Sequence, residues 1–147
     1  GQALGMRVVA WSANLTKDAA AAGGAALVSK EALFRDSDVV SIHYILSERS
    51  RGLVGAAELA LMPPHAILVN TSRGPIVDQD ALLAALHEGR IGGAGIDVYD
   101  VEPLPAGHPL LAAPRTLLTP HLGYSTEENY RAYFAGAVEA IEAYEAG

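Results

Sequence analysis

Short apolar segments alternate with longer amphipathic segments along the whole chain, and this alternation limits the fold more than any other feature. Several of the short segments are continuous apolar or β-branched runs, as expected of strands that helices cover on both faces. No repeat, low-complexity tract or linker interrupts the pattern. The sequence therefore predicts an α/β fold with a doubly wound, mostly parallel sheet and right-handed crossovers.

The apolar periodicity predicts both the strands and the helices of this fold. The predicted strands cover residues 8–11, 26–28, 38–42, 66–70, 94–98 and 116–118. The predicted helices cover residues 30–35, 55–62, 79–88 and 125–145. Ser29 and Asp78 are expected to cap two of the helices, whereas Gly89 and the pair Pro63 and Pro64 are expected to end helices.

The composition excludes several classes of function. The chain has 17 Asp and Glu against 10 Lys and Arg, a net charge of -7 without a basic cluster, so nucleic acid and membrane surfaces are not expected as partners. The lack of cysteine excludes disulfides and thiolate catalysis, and the histidine spacing predicts no metal site. No apolar run approaches the roughly 18 residues that cross a bilayer. We predict one domain in a reducing cytoplasm.

The first residues suggest a piece of a longer protein. Residue 1 is glycine rather than methionine, and residues 1–6 resemble the end of a helix in which Gly5 is the C-cap. The apolar run that follows is typical of a strand that comes after such a helix. We therefore expect a fold truncated at its N-terminus, with the missing part upstream of Gly1.

Polar residues concentrate in the segments that follow the predicted strands. The carboxyl ends of the strands form the ligand-binding edge of a doubly wound sheet, so these segments are expected to line a binding crevice. They are residues 12–14 (Ser-Ala-Asn), 43–44 (His-Tyr), 70–74 (Asn-Thr-Ser-Arg-Gly), 97–103 (Asp-Val-Tyr-Asp-Val-Glu-Pro) and 119–123 (Thr-Pro-His-Leu-Gly).

Arg73 and His121 are the basic side chains of these segments that suit catalysis. Arg73 precedes Gly74 and Pro75, which fix the turn and bring the backbone close to a neighbour, and its planar guanidinium matches a carboxylate with two hydrogen bonds. His121 lies in a rigid segment, and imidazole exchanges a proton near neutral pH. The alternatives are a surface arginine paired with an acid and a structural histidine.

The segment after the fifth predicted strand carries the carboxylates of Asp97, Asp100 and Glu102. A carboxylate that is hydrogen-bonded to an imidazole stabilises the imidazolium form, so one of the three is a candidate partner of His121. Pro103 restricts Glu102 to an extended conformation at the sheet edge. The residues alone leave the choice among the three open, and a solvated loop glutamate is the alternative.

Three motifs, in this order, resemble the D-isomer-specific 2-hydroxyacid dehydrogenase family. They are Asn-Thr-Ser-Arg-Gly at 70–74 with Val-Asp at 77–78, Gly-Ile-Asp-Val-Tyr at 95–99 leading to Glu-Pro-Leu-Pro at 102–105, and Thr-Pro-His-Leu-Gly at 119–123. The resemblance is continuous from Asp38 to Asn129. It implies that residues 1–147 are the later part of a Rossmann-like dinucleotide-binding domain.

The resemblance implies an oxidoreductase that moves a hydride between NAD or NADP and a small D-2-hydroxy acid or 2-keto acid, in a homodimer of the full-length protein. It implies that Arg73 holds the substrate carboxylate, that His121 exchanges the proton and that Glu102 orients the ring. It also implies that Asp97 lies near the nicotinamide carboxamide. The residues implied around the coenzyme are Ser12, His43, Tyr44, Thr71, Arg73, Asp97, His121 and Gly123.

Two departures from the family pattern concern coenzyme binding. The Gly-rich phosphate loop and the strand before it are expected upstream of Gly1, and the substrate domain is absent from this chain. We therefore expect the chain alone to be inactive. Ser12 stands where an aspartate commonly binds the adenine ribose and excludes a 2′-phosphate, so NADP is allowed as well as NAD.

The last predicted helix carries an apolar stripe, which we expect to pack in the core rather than to form an interface. The stripe consists of Tyr130, Phe134, Val138 and Ile141. Two other hypotheses stay open for the function. One is a nucleotide-sensing, dimeric scaffold like the transcriptional corepressors that resemble this family, and the other is a truncated product without function.

Overall fold

Six short strands form two parallel sheets. β1 (Val9–Ala10) pairs with β2 (Ala26–Leu27), and the second sheet has the order β3 (Val39–Ile42), β4 (Ile67–Asn70), β5 (Gly93–Ile96) and β6 (Thr116–Leu118). Every pairing within these sheets is parallel. The computed structural model describes residues 1–147. It confirms the predicted parallel α/β fold and all the predicted strands. β1 to β4 are shorter than predicted, β5 begins one residue earlier and ends two residues earlier, and β6 has the predicted bounds.

The helices are α1 (Lys17–Ala22), α2 (Lys30–Asp36), α3 (Ala56–Leu61), α4 (Gln79–His87) and α5 (Glu127–Glu145). The side chains of Ser29 and Asp78 cap α2 and α4 by accepting hydrogen bonds from the N–H groups of Ala32 and Ala81, as predicted. α1 is absent from the predicted helices. Its signal was a capping Thr16 followed by an alanine-rich run, both of which favour a helix.

The strand register places alternate residues of the four-stranded sheet on one buried face. Val40, Leu68 and Ala94 are aligned across β3, β4 and β5, and each is buried. Side chains from α2, α3 and α4 join them in one apolar core of 19 residues. On the opposite face, Val39 and Leu117 are 48% and 71% exposed. Within residues 1–147, this second face is therefore less completely covered than the core face.

A slot separates the two sheets. β1 and β3 face each other without pairing, and each strand has a hydrogen-bonded neighbour on its other side only. The slot encloses a cavity of about 1040 Å³, which is lined by Val9 and Ala10 of β1 and by Val40 and Ile42 of β3. The slot thus presents two parallel strand edges that are open to pairing with a further strand.

The N-terminal residues form a single 3₁₀ turn, Gln2–Leu4, which ends at Gly5 with a φ of +76°. The predicted C-cap at Gly5 is therefore confirmed. Glycine suits this position because only a residue without a side chain adopts the left-handed conformation at little cost. Met6 and Arg7 then lead into β1 along the wall of the slot.

The C-terminal helix α5 buries none of its residues. Its apolar stripe of Tyr130, Phe134, Val138 and Ile141 is at least 46% exposed at every position. The prediction that this stripe packs in the core is therefore wrong, because no other element of the chain covers that face of α5. None of the helices combines the length and the apolar character that crossing a membrane requires.

Candidate active site

Arg73 lies on the loop that follows β4, and Asn70 holds this loop in place. The buried Asn70 amide donates to the carbonyl of Arg73 at 2.9 Å and accepts from the N–H of Ser72 at 3.0 Å. The guanidinium of Arg73 donates to the carbonyl of Ser72 at 2.7 Å and is otherwise exposed. Its remaining N–H groups are available to bind a carboxylate.

Gly74, the next residue, packs directly on the backbone of Tyr99. A Cβ atom at position 74 would lie 2.2 Å from the carbonyl carbon of Tyr99 and 2.6 Å from the nitrogen of Asp100, so only glycine fits. The close backbone approach that the sequence predicts at Gly74 is thus made to another loop of the chain. Through this contact, the loop of Arg73 touches the loop of Glu102.

Glu102 and His121 form a hydrogen-bonded pair. Nδ1 of His121 donates to Oε2 of Glu102 at 2.7 Å, and the side chains of His121 and Glu102 are 33% and 35% exposed. The hydrogen bond with His121 holds the pKa of Glu102 below its ordinary value against the effect of burial, and the charge of Arg73 lowers it further. Of the candidate carboxylates in this loop, Glu102 is the one that pairs with His121.

Asp97, at the end of β5, is buried, and its carboxylate holds the loop that carries His121. It accepts hydrogen bonds from the hydroxyl of Thr119 at 2.5 Å and from the N–H groups of Leu122 and Gly123 at 2.7 and 2.8 Å. Burial raises the pKa of Asp97, but these hydrogen bonds outweigh it and place the pKa below its ordinary value. The loop gives His121 a φ of +57°, which costs a non-glycine residue about 1–2 kcal/mol.

Tyr99 connects the same loops from within the core. Its hydroxyl donates to the carbonyl of Thr119 at 2.9 Å and lies 3.2 Å from the carbonyl of Ile96. Burial and the charge of Asp97 raise the pKa of Tyr99, so its hydroxyl remains a donor. Neither Tyr99 nor Thr119 is among the predicted site residues, because their partners lie 20 and 22 residues away in the sequence.

The predicted coenzyme residues Ser12, His43 and Tyr44 meet where the slot opens at the carboxyl ends of β1 and β3. The ring of Tyr44 stacks on Trp11 with the ring centroids 6.3 Å apart. The hydroxyl of Ser72 donates to the carbonyl of Tyr44. This hydrogen bond joins the Tyr44 segment to the loop of Arg73.

The remaining predicted coenzyme residues, Thr71 and Gly123, are exposed on the loops after β4 and β6. The predicted residues therefore form two groups, one at the mouth of the slot and one around Arg73 and His121. Both groups lie at the carboxyl ends of parallel strands, where this kind of sheet binds dinucleotides. Exposed hydroxyl, imidazole and backbone groups there fit the ribose and phosphate groups of such a ligand.

Other histidines serve as structural partners. His65 lies 2.8 Å from Asp38 on the surface. His108 caps the 3₁₀ helix Pro109–Ala112 by accepting a hydrogen bond from the N–H of Leu110. No three His, Asp or Glu side chains converge where they could hold a metal ion.

Comparison with known proteins identifies relatives of this chain. Residues 1–123 match the family model described as D-isomer specific 2-hydroxyacid dehydrogenase, NAD binding domain. Over 147 residues, the chain is 42% identical to a glyoxylate reductase from Aeropyrum pernix, an alignment that covers 100% of this chain and 44% of that protein. The chain thus spans less than half of the length of this relative.

Solved structures show the same likeness. A putative D-3-phosphoglycerate dehydrogenase from Ralstonia solanacearum superposes with a TM-score of 0.89 at 42% identity, over 95% of this chain and 41% of that one. A D-lactate dehydrogenase from Aquifex aeolicus, complexed with NAD and lactic acid, superposes with a TM-score of 0.83 at 25% identity, over 99% of this chain and 48% of that one. The Rossmann-like fold predicted from the sequence is confirmed.

Proposed function

This chain belongs to the D-isomer-specific 2-hydroxyacid dehydrogenase family, and from that membership we propose that a longer protein containing it moves a hydride between NAD or NADP and a small D-2-hydroxy acid or 2-keto acid. The observation that carries the proposal is the 2.7 Å contact between His121 and Glu102 beside the loop of Arg73. An oriented imidazole with a guanidinium nearby supplies the groups that keto-acid reduction needs. We also propose a cytoplasmic location, which suits a chain without cysteine.

Arg73, Glu102 and His121 have separate roles in the proposed reaction. Arg73 binds the substrate carboxylate with its available N–H groups and so fixes the position of the carbonyl. His121 gives a proton from Nε2 to the carbonyl oxygen during reduction and takes it back during oxidation, because Nδ1 is committed to Glu102. Glu102 keeps the ring oriented. The chemistry that a bound nicotinamide supplies is the hydride.

The residues proposed to hold the coenzyme are those at the carboxyl edge of the sheets. Ser12, His43, Tyr44 and Thr71 offer polar groups along this edge, the first three at the mouth of the slot. A carboxylate has about four acceptor positions, so Asp97, with three of them used within the chain, keeps one for an amide such as the nicotinamide carboxamide.

Steady-state assays of the longer protein test the proposed function. We expect reduction of glyoxylate, hydroxypyruvate or a bulkier 2-keto acid with NADH or NADPH. Ser12→Asp should lower kcat/KM for NADPH more than for NADH, because the new carboxylate repels the 2′-phosphate. Coenzyme binding without turnover of any keto acid would instead support the nucleotide-sensing scaffold.

We propose that one further parallel strand, followed by a Gly-rich phosphate loop, fills the slot between β1 and β3 in the longer protein. Two unpaired strand edges and a cavity of about 1040 Å³ between them support this assignment. The chain would then be the later part of the dinucleotide-binding domain, and residues 1–147 alone would be inactive.

A thermal melt of residues 1–147 with saturating NADH, and in parallel with NADPH, tests this domain assignment. We expect neither coenzyme to raise the transition, because the phosphate loop contributes most of the anion-binding N–H groups in such a domain. A cooperative transition that either coenzyme raises would contradict the assignment and would rank the two coenzymes.

A homodimer of the longer protein is also part of the proposal. The exposed stripe on α5, which includes Phe134 and Ile141, is an apolar surface that is expected to be covered in the assembled protein. Sedimentation of the longer protein measures its mass directly, and a monomer would contradict the dimer.

A further inference from the structure

Thr119 is tied to the end of β5 through each of its polar groups. Its N–H donates to the carbonyl of Ile96 at 3.0 Å, and its hydroxyl donates to Asp97 at 2.5 Å. Its carbonyl accepts from the hydroxyl of Tyr99 at 2.9 Å. Because Thr119 lies two residues before His121, these bonds fix the start of the His121 loop relative to β5.

Tyr99 also holds the partner of His121. Its backbone N–H donates to Oε1 of Glu102 at 2.9 Å, while its hydroxyl binds Thr119. One buried residue therefore contacts both loops whose side chains meet at 2.7 Å. Gly74, which packs on the Tyr99 backbone, brings the loop of Arg73 to the same residue.

We propose that Tyr99 is a positioning residue for the Glu102–His121 pair, acting through its hydroxyl on Thr119 and through its N–H on Glu102. The inference rests on the proposed dehydrogenase function and adds a residue that lies buried behind the reacting groups. The left-handed φ of His121 requires support from outside its own loop, because such a conformation persists only where surrounding contacts hold it. The Tyr99 hydroxyl supplies one of these contacts.

Tyr99→Phe removes the hydroxyl and keeps the ring, so it separates the hydrogen bond from core packing. In the longer protein we expect kcat for keto-acid reduction to fall about 3- to 10-fold, the factor that one net hydrogen bond supplies, with the coenzyme KM unchanged. Tyr133→Phe, which removes an exposed hydroxyl on α5, is the matched control and should change neither value.

A double-mutant cycle separates positioning from a general loss of stability. If Tyr99 acts through the pair, Tyr99→Phe should reduce kcat much less on a Glu102→Gln background than on the wild type. Equal reductions on both backgrounds, or a wild-type kcat in Tyr99→Phe, would overturn the proposal.

A second variant, at Thr119, tests the positioning of His121 independently, in case Tyr99→Phe does not fold. Thr119→Val removes the hydroxyl bond to Asp97 and should also lower kcat for reduction. Its matched control is Thr116→Val, which loses a hydroxyl bond to the carbonyl of Ala113 and leaves the His121 loop untouched. Equal kcat values in the two threonine variants would contradict the positioning of His121 through Thr119.

Nitrogen-15 NMR of the histidine rings distinguishes failure of this inference from failure of the proposed function. The Nδ1–H proton of His121 bound to Glu102 should give a downfield signal that weakens in Tyr99→Phe and persists in Tyr133→Phe. A signal that Tyr99→Phe leaves unchanged overturns the positioning role, whether or not the protein reduces a keto acid. A weakened signal in a protein that reduces no keto acid would keep the positioning role and reject the dehydrogenase function.

Discussion

The loops proposed to carry catalysis (the catalytic loops, residues 71–74, 97–103 and 119–123) and the slot between β1 and β3 differ in how completely their polar groups are paired. In the catalytic loops, Asp97 accepts three hydrogen bonds and Glu102 accepts two. At the slot, the facing edges of β1 and β3 do not pair, and the cavity between them has a volume of about 1040 Å³. The hydrogen bonds of Asp97 and Glu102 are thus all made within residues 97–123, whereas the facing edges of β1 and β3 have no partner within residues 1–147.

The largest effect should come from the catalytic loops. In the longer protein, His121→Asn should lower kcat for reduction by about 10²–10⁴-fold, because the reaction loses its positioned acid. The coenzyme dissociation constant should change much less than kcat, because Ser12, His43 and Tyr44 at the mouth of the slot are unaltered. Steady-state kinetics and coenzyme titration measure the two quantities.

His65→Asn is the matched control for this substitution. His65 is exposed and pairs only with Asp38, so its replacement should leave kcat at the wild-type value. A His121→Asn protein that retains more than a tenth of the wild-type kcat would remove His121 from the role of acid.

The next largest effect tests how tightly the catalytic loops pack. Gly74→Ala should destabilise the longer protein by about 1–3 kcal/mol, since the added carbon overpacks the Tyr99 backbone. Gly136→Ala on α5 is the control, because a Cβ there meets nothing within 4 Å, and it should stabilise the helix by about 0.5–1 kcal/mol. Denaturant titration of both variants measures the difference, and equal stabilities would show that the Gly74 contact is loose.

A smaller effect tests whether a further strand fills the slot in the longer protein. Val39 on β3 lines the slot and is 48% exposed in this chain. Val39→Thr should cost less than about 0.5 kcal/mol in residues 1–147, as a surface change does, but about 1 kcal/mol in the longer protein, where a further strand would bury the side chain. Denaturant titration of both proteins compares these costs. The same cost in both would argue that the slot stays open.

The smallest effect concerns acid pH, which should destabilise the catalytic loops. Because Glu102 and Asp97 have lowered pKa values in the folded state, each stabilises the fold above its ordinary pKa of about 4.3 or 3.9, and this stability is lost as the pH falls through the folded value. The partly exposed Glu102 should contribute less than the buried Asp97, because solvent screens its charge.

Melting temperatures of the longer protein, measured from about pH 6 downward, test this linkage. Asp97→Asn should flatten the fall in melting temperature, and Thr119→Val, which removes one of the hydrogen bonds to Asp97, should flatten it less. An equally steep fall in Asp97→Asn and in the wild type would contradict the role given to Asp97.

Local signals predicted most of the secondary structure. The caps at Ser29 and Asp78 and the left-handed Gly5 depend on neighbours within a few residues, and all three predictions are confirmed. α1 was missed because its six residues offer only a short alanine run after Thr16. The predicted burial of the α5 stripe was wrong, because periodicity identifies an apolar face but not what covers it.

The sequence by itself determined the parallel α/β fold, the order of the family motifs and the pairing candidates around His121. The tertiary structure decided that Glu102, rather than Asp97 or Asp100, contacts the imidazole, since that pairing forms only when β5 and β6 lie side by side. It also decided that Asp97 and Tyr99 hold the His121 loop. Strand propensity, caps and motifs are local properties of the chain, whereas these hydrogen bonds join residues 19 to 26 positions apart, which only the folded sheet brings together.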